Sequence, residues 1–343
     1  MFRRRNKQKE QNLENSKMSD PAPDSNDSAN ESTKSIYYYI KANTKDGRLP
    51  EGFKIPWLDS GWAPGAHDGV LLNHMPPLKP DSNREIDILG TLMLMSAENY
   101  GDYASQIFRT LEKLDGEFGI VRLCDEINQI MFDHQKELNL ENMLRFSDWI
   151  LCEGISLLAI KAALTIISCY TVPWVEEVMM EVGIYDEFTY FSVRMLSRSI
   201  WPKGNDEIFT LAKKVRGWGR IHAVDMIEPE TQEIRDWLLY EGAENTVMCQ
   251  YSSDICLQKA EAEKRLDGFL SAKEYEAIGK LIRESLEDGP CRGVSNGEQL
   301  LSKYIGKAKE FRPDPDTIKL ILQAADEYSL SEETILQGKL LIE

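Results

Sequence analysis

Apolar side chains recur along most of this chain at intervals of three and four. Ile208, Leu211, Ala212 and Val215 form an i, i+3, i+4, i+7 stripe, and Ile318, Leu322 and Ala325 mark another. Such a stripe is the face that an α-helix turns toward a core. Read together with capping residues and glycine punctuation, the spacing predicts helices over about 84–98, 101–114, 117–137, 141–153, 155–170, 173–182 and 186–199. The same grammar continues over about 205–216, 220–227, 231–241, 245–265, 271–287, 296–310, 314–328 and 331–341. No run alternates apolar and polar residues convincingly enough to predict a strand. A short aromatic helix is expected at 36–42, and the Gly- and Pro-rich span 46–80 reads as a strap anchored by Phe53, Ile55, Trp57, Trp62 and Leu71. Residues 1–34 are too polar to offset the entropy of ordering and are expected to be a disordered tail.

One segment is written twice. Asp148-Trp149-Ile150-Leu151-Cys152-Glu153-Gly154 returns as Asp236-Trp237-Leu238-Leu239-Tyr240-Glu241-Gly242, each copy an apolar helix end closed by Glu-Gly. Duplicated helix ends of this kind point to repeated helical hairpins, and Trp149 and Trp237 are expected to fill equivalent buried places in them. A weaker third copy is Leu211-Ala212-Lys213-Lys214-Val215-Arg216-Gly217, and the three are not evenly spaced. With its paired helices and Gly or Pro turns, the chain resembles HEAT-like or armadillo-like α-solenoids over about 84–260. The segment Gly219-Arg220-Ile221-His222-Ala223-Val224 is similar to one in bacterial HEAT-like proteins. The resemblance implies an all-α fold, an irregular α-solenoid of HEAT-like antiparallel helical hairpins. The domain plan is then a tail over 1–34, a helix and loop-rich strap over 35–83, and a helical repeat domain over 84–343.

Charge narrows the partners. With 40 Lys and Arg against 57 Asp and Glu, the net charge is −17, which repels nucleic acid and anionic lipid taken broadly. Six dispersed cysteines without a C-x-x-C pair read as reduced core thiols of a cytoplasmic protein. The N-terminal Arg3, Arg4, Arg5, Lys7 and Lys9 precede no apolar core of a signal peptide. The longest apolar stretch, 155–172, carries Lys161 near its middle and reads as a buried helix rather than a membrane span.

The densest candidate site is basic. Arg194 and Arg198 lie four apart on one predicted helix, while Arg216 and Arg220 flank Trp218 in a Gly-Trp-Gly turn with His222, Lys213 and Lys214 close by. Converging guanidinium groups would bind a phosphate or an acidic segment bidentately. The competing expectation is that these cations neutralise Asp206, Glu207, Glu241 and Glu244 on neighbouring helices. Trp218 reads equally well as a contact residue and as a plug between hairpins. His67, Asp68 and His74 share the strap without the spacing of a metal site, so no metal and no cofactor are expected. No G-x-S-x-G, P-loop or dinucleotide fingerprint is present. The sequence therefore favours a noncatalytic interaction or scaffold protein that holds a protein or peptide partner in a helical-repeat groove. The alternative is a helical-repeat nucleic-acid-binding protein or an alkylpurine-glycosylase-like enzyme, with the basic group on phosphate and Asp225 near a base.

Overall fold

The computed structural model describes residues 35–58, 61–154, 156–289 and 291–343. The 1–34 segment, including its basic cluster, lies outside the described residues. Among the described residues the protein is all-α, with 18 α-helices and a single isolated bridge, Lys45 to Arg48, in place of any strand. No helix among them is long and apolar enough to cross a membrane. Two compact units are present: one comprises Val70–Val182 with the described residues before Gly61, the other Gly61–Gly69 with Gly183–Glu343. This division falls inside the stretch read from sequence as one repeat domain.

The first unit contains α1 (Ile36–Asn43), α3 (Ser82–Met95), α4 (Tyr100–Phe118), α5 (Ile120–Asp133), α6 (Leu140–Glu153), α7 (Leu157–Ile167) and α8 (Pro173–Val182). The helix α2 (Ala66–His74) has its first residues in the second unit. Within the first unit α3 packs on α4 and α5, α7 on α4, α5 and α6, and α1 against α6 and α8. Side-chain oxygens of Asp81 and Asn139 accept the orphan N–H groups that open α3 and α6. Every residue of α7 from Ala159 to Ile167 is buried, Lys161 included at 7% exposure, so this helix is covered on every side rather than striped.

The second unit continues with α9 (Thr189–Leu196), α10 (Gly204–Lys214), α11 (Trp218–Met226), α12 (Gln232–Trp237), a π-helical turn (Leu238–Gly242), α13 (Gln250–Lys259), α14 (Ala262–Asp267), α15 (Ala272–Leu286), α16 (Gly297–Lys307), α17 (Pro315–Gln323) and α18 (Glu332–Leu340). Alternate helices are neighbours: α9 packs on α11, α11 on α13, α13 on α15, and α15 on α17. A second series runs through α14, α16 and α18. Between them Tyr275 stacks on Tyr304 at 4.4 Å and on Phe311 at 4.8 Å.

Several expectations are corrected. The strap contains α2, hidden in the sequence by flanking Gly and Pro. One helix runs through Gly116, where an added Cβ would meet nothing, and the break comes instead at Gly119. Gly119 has φ +80°, and a Cβ there would lie 2.4 Å from Leu71. The single helix expected over 245–265 is two, because Glu261 takes a left-handed φ of +55° between α13 and α14.

The two tryptophans of the duplicated segment are not equivalent. Trp237 is buried at 8% exposure, its edge on Phe209 at 5.4 Å, whereas Trp149 is 41% exposed. In the second copy the chain widens into the π turn and Gly242 presses on α13, where a Cβ would come 2.8 Å from Cys256 Sγ. In the first copy α6 stays regular and stops at Gly154. The same letters thus close two different helix ends.

Candidate functional site

The Gly-Trp-Gly turn opens α11, and both ends of that helix are satisfied by charged side chains from elsewhere. Gly217 and Gly219 donate their N–H groups to Asp186 Oδ1 at 2.9 and 2.7 Å, so Asp186 does the work of an N-cap that glycine lacks. Burial pushes the Asp186 carboxyl above the usual carboxylate range, while the two N–H groups pull it back. At the other end Lys259 Nζ donates to the carbonyls of Val224, Asp225 and Ile227 at 3.0, 2.6 and 2.8 Å. An anion at the N-terminus and a cation at the C-terminus both complement the helix dipole.

Trp218 is a plug. It is 5% exposed, and a Cβ on Gly69 would lie 2.1 Å from its Cε3, so the indole occupies the space that this glycine leaves. Glu187 Oε2 accepts the N–H of Gly65 at 2.7 Å and helps fix the same segment. His222 is 6% exposed, with the Tyr190 ring 5.3 Å away and the Trp218 ring 6.3 Å away. Burial depresses its pKa to about 4 against the opposing field of Asp68, so the ring is neutral. Its Nε2 has no hydrogen-bond partner among the described residues.

Of the arginines, Arg220 lies over the Trp237 ring at 4.8 Å. Burial lowers its pKa, Glu241 and Glu244 raise it, and Arg216 is its like-charged neighbour. Arg216 is exposed, and its carbonyl accepts the N–H of Thr246 at 2.8 Å. Arg194 and Arg198 sit half-buried at the C-terminal end of α9. The structure therefore joins Trp218 to His222 and sets Arg216 near Arg220, while Arg194 and Arg198 are not among the main charges acting on Arg220. Asp225 is exposed on the last turn of α11, its carbonyl held by Lys259. In the strap, His67 Nδ1 is 3.7 Å from Asp68 Oδ1, and among the described residues no group of three or more His, Cys, Asp or Glu is gathered to hold a metal.

A different site opens in the first unit. A groove of about 320 Å³ lies along α4, α6 and the start of α7, floored by Phe108, Ile150, Leu158 and Ala159 with Trp149 at its side. Two exposed carboxylates, Glu112 and Glu153, are also in its lining, and neither makes an ion pair among the described residues. The Trp149 ring lies 5.8 Å from that of Phe146 on the same helix. The chain enters the described structure beside this groove. Ser35 Oγ donates to the Leu151 carbonyl at 2.7 Å, and the Ile36 N–H donates to the Gly154 carbonyl at 3.0 Å. Sequence reasoning missed the groove because a Trp beside Glu-Gly at a helix end reads as packing.

No family model, curated protein or solved structure matches this chain.

Proposed function

We propose that this chain is a noncatalytic interaction protein, an irregular HEAT-like α-solenoid that holds a peptide segment in an open groove. The observation that carries the reading is the groove on α4, α6 and α7, where an exposed indole and apolar floor adjoin two carboxylates without ion-pair partners among the described residues. Aromatic side chains left half-exposed beside an apolar cleft are the residues that anchor bound segments. The carboxylates select for a segment that pairs an apolar side chain with Arg or Lys. Succession of alternate helices in the second unit supports the repeat architecture. Six free cysteines fit a cytoplasmic setting.

Several of the conspicuous polar groups of the second unit have structural work. Asp186 and Lys259 cap α11, and Arg220 lies over the Trp237 ring in the field of Glu241 and Glu244, its Nε and Nη1 buried without a hydrogen-bond partner among the described residues. With a net charge of −17, that weighs against the nucleic-acid and glycosylase readings.

The test is fluorescence anisotropy of labelled peptides of defined chemistry, one apolar and basic, one apolar and acidic, one apolar and neutral. The basic peptide should bind, and Trp149→Ala should weaken it by about tenfold, the loss of one anchor residue. Equal binding of all three peptides, or no effect of Trp149→Ala, would overturn the reading.

A further inference from the structure

The lining of the groove repeats one arrangement on two helices. Phe108 is followed four residues later by Glu112 on α4, and Trp149 by Glu153 on α6. Positions four apart share a helix face, so each wall presents an aromatic ring beside a carboxylate. The walls meet through Phe146, whose ring lies 6.4 Å from that of Phe108 and 5.8 Å from that of Trp149. Glu112 and Glu153 are exposed and make no ion pair among the described residues. Lys113 and Arg145, on the same two helices, are held at 2.7 and 2.6 Å by Asp87 and Glu141. The end of α6 adds to the negative field, because its last turn carries Glu153 and no basic residue to complement the helix dipole.

Two carboxylates, an exposed indole and an apolar floor together call for a cation with a flat face and an aliphatic stem. A lysine ammonium is a compact, strongly hydrated charge that meets carboxylates as a point. A guanidinium is more weakly hydrated and stacks on an aromatic ring. The N–H donors around its edge are enough for a carboxylate from each wall while its face rests on the indole. The stem behind it covers apolar surface such as that of Leu158 and Ala159. At about 320 Å³ the groove lies at the small end of ligand sites, room for one long side chain rather than for a helix about 10 Å across.

We propose that the groove on α4, α6 and α7 holds a single arginine side chain of a protein partner, its guanidinium stacked on Trp149 and hydrogen-bonded to Glu112 and Glu153, its stem along Leu158 and Ala159. This assignment rests on the interaction reading above and adds which basic residue the groove selects.

The experiment measures fluorescence anisotropy of the full chain with four labelled peptides of one apolar sequence that differ at a central position: arginine, lysine, citrulline or norleucine. The arginine peptide should bind about tenfold more tightly than the lysine peptide, through the stacking and the forked hydrogen bonds that an ammonium lacks. Citrulline keeps the shape of arginine and loses the charge, and should bind no better than norleucine. Trp149→Leu keeps an apolar side chain at that position, so it should bring the arginine peptide down to the lysine affinity and leave the lysine peptide within about twofold of its wild-type value. Glu112→Gln and Glu153→Gln should each weaken the arginine peptide by about fivefold. Thermal unfolding of the three variants, all at exposed positions, checks that each is folded. Equal affinity for arginine and lysine, or an arginine preference that survives Trp149→Leu, overturns the proposal and leaves the interaction reading standing. Agmatine binding as tightly as the arginine peptide also overturns it, because the groove would then take a free guanidine rather than a partner's arginine. If citrulline or norleucine binds as well as arginine, or if no peptide binds, both readings fall.

Discussion

Trp149 and Trp237 end sequence copies of each other, yet their side chains carry different burdens. Trp237 lies between Phe209 and the Arg220 guanidinium, so Trp237→Ala opens a cavity and should cost about 3–5 kcal/mol. Trp149, 41% exposed, should cost less than about 1 kcal/mol. Urea unfolding of the two variants separates these outcomes. His222 makes a second residue-scale prediction. Its pKa of about 4 in the fold lies below the usual 6.5, so the folded state prefers the neutral ring. The stability this gives is complete above pH 6.5 and is lost as pH falls toward 4, about 3 kcal/mol in all. Asp68 opposes the shift without cancelling it. Unfolding free energy measured from pH 7 to 4 should therefore fall less steeply in His222→Gln than in the wild type. Parallel slopes would mean the imidazole is hydrated.

At the scale of elements, α11 shows why a conspicuous motif need not be a site. Its sequence offers arginines, a histidine and a tryptophan between glycines, which reads as recognition chemistry. What the sequence does not carry is the distant partners: Asp186 at one end, Lys259 at the other, and Gly69 under the indole. Lys259→Met should strand three helix-end carbonyls and destabilise the fold by about 2–3 kcal/mol. Asp186→Asn should lose less than Asp186→Ala, because an amide oxygen still accepts the two N–H bonds. Thermal unfolding of these variants checks both orders. The helices themselves were legible because their apolar stripes meet a core, as at Ile208, Leu211 and Ala212, all buried. Boundaries were not: the break at Gly119 depends on Leu71, and the break at Glu261 uses a residue whose type does not announce a left-handed backbone. The groove was illegible for a related reason. Glu112 and Glu153 belong to different helices, and only the packing of α4, α6 and α7 sets them around one apolar surface.

For the whole molecule, the sequence reading of an all-α protein stands, and the chain divides into two units, each with its own packed helices. We propose that the molecule works through the groove of the first unit rather than through the arginines of α9 and α11. The most direct measurement is NMR of the isotopically labelled full chain titrated to saturation with a basic apolar peptide. Chemical-shift changes should concentrate at Phe108, Glu112 and residues 149–159, with the Trp149 indole resonance among the largest. Changes centred on Arg194, Arg198, Arg216 and Arg220, or an unchanged spectrum at saturating peptide, would contradict a binding role for the groove.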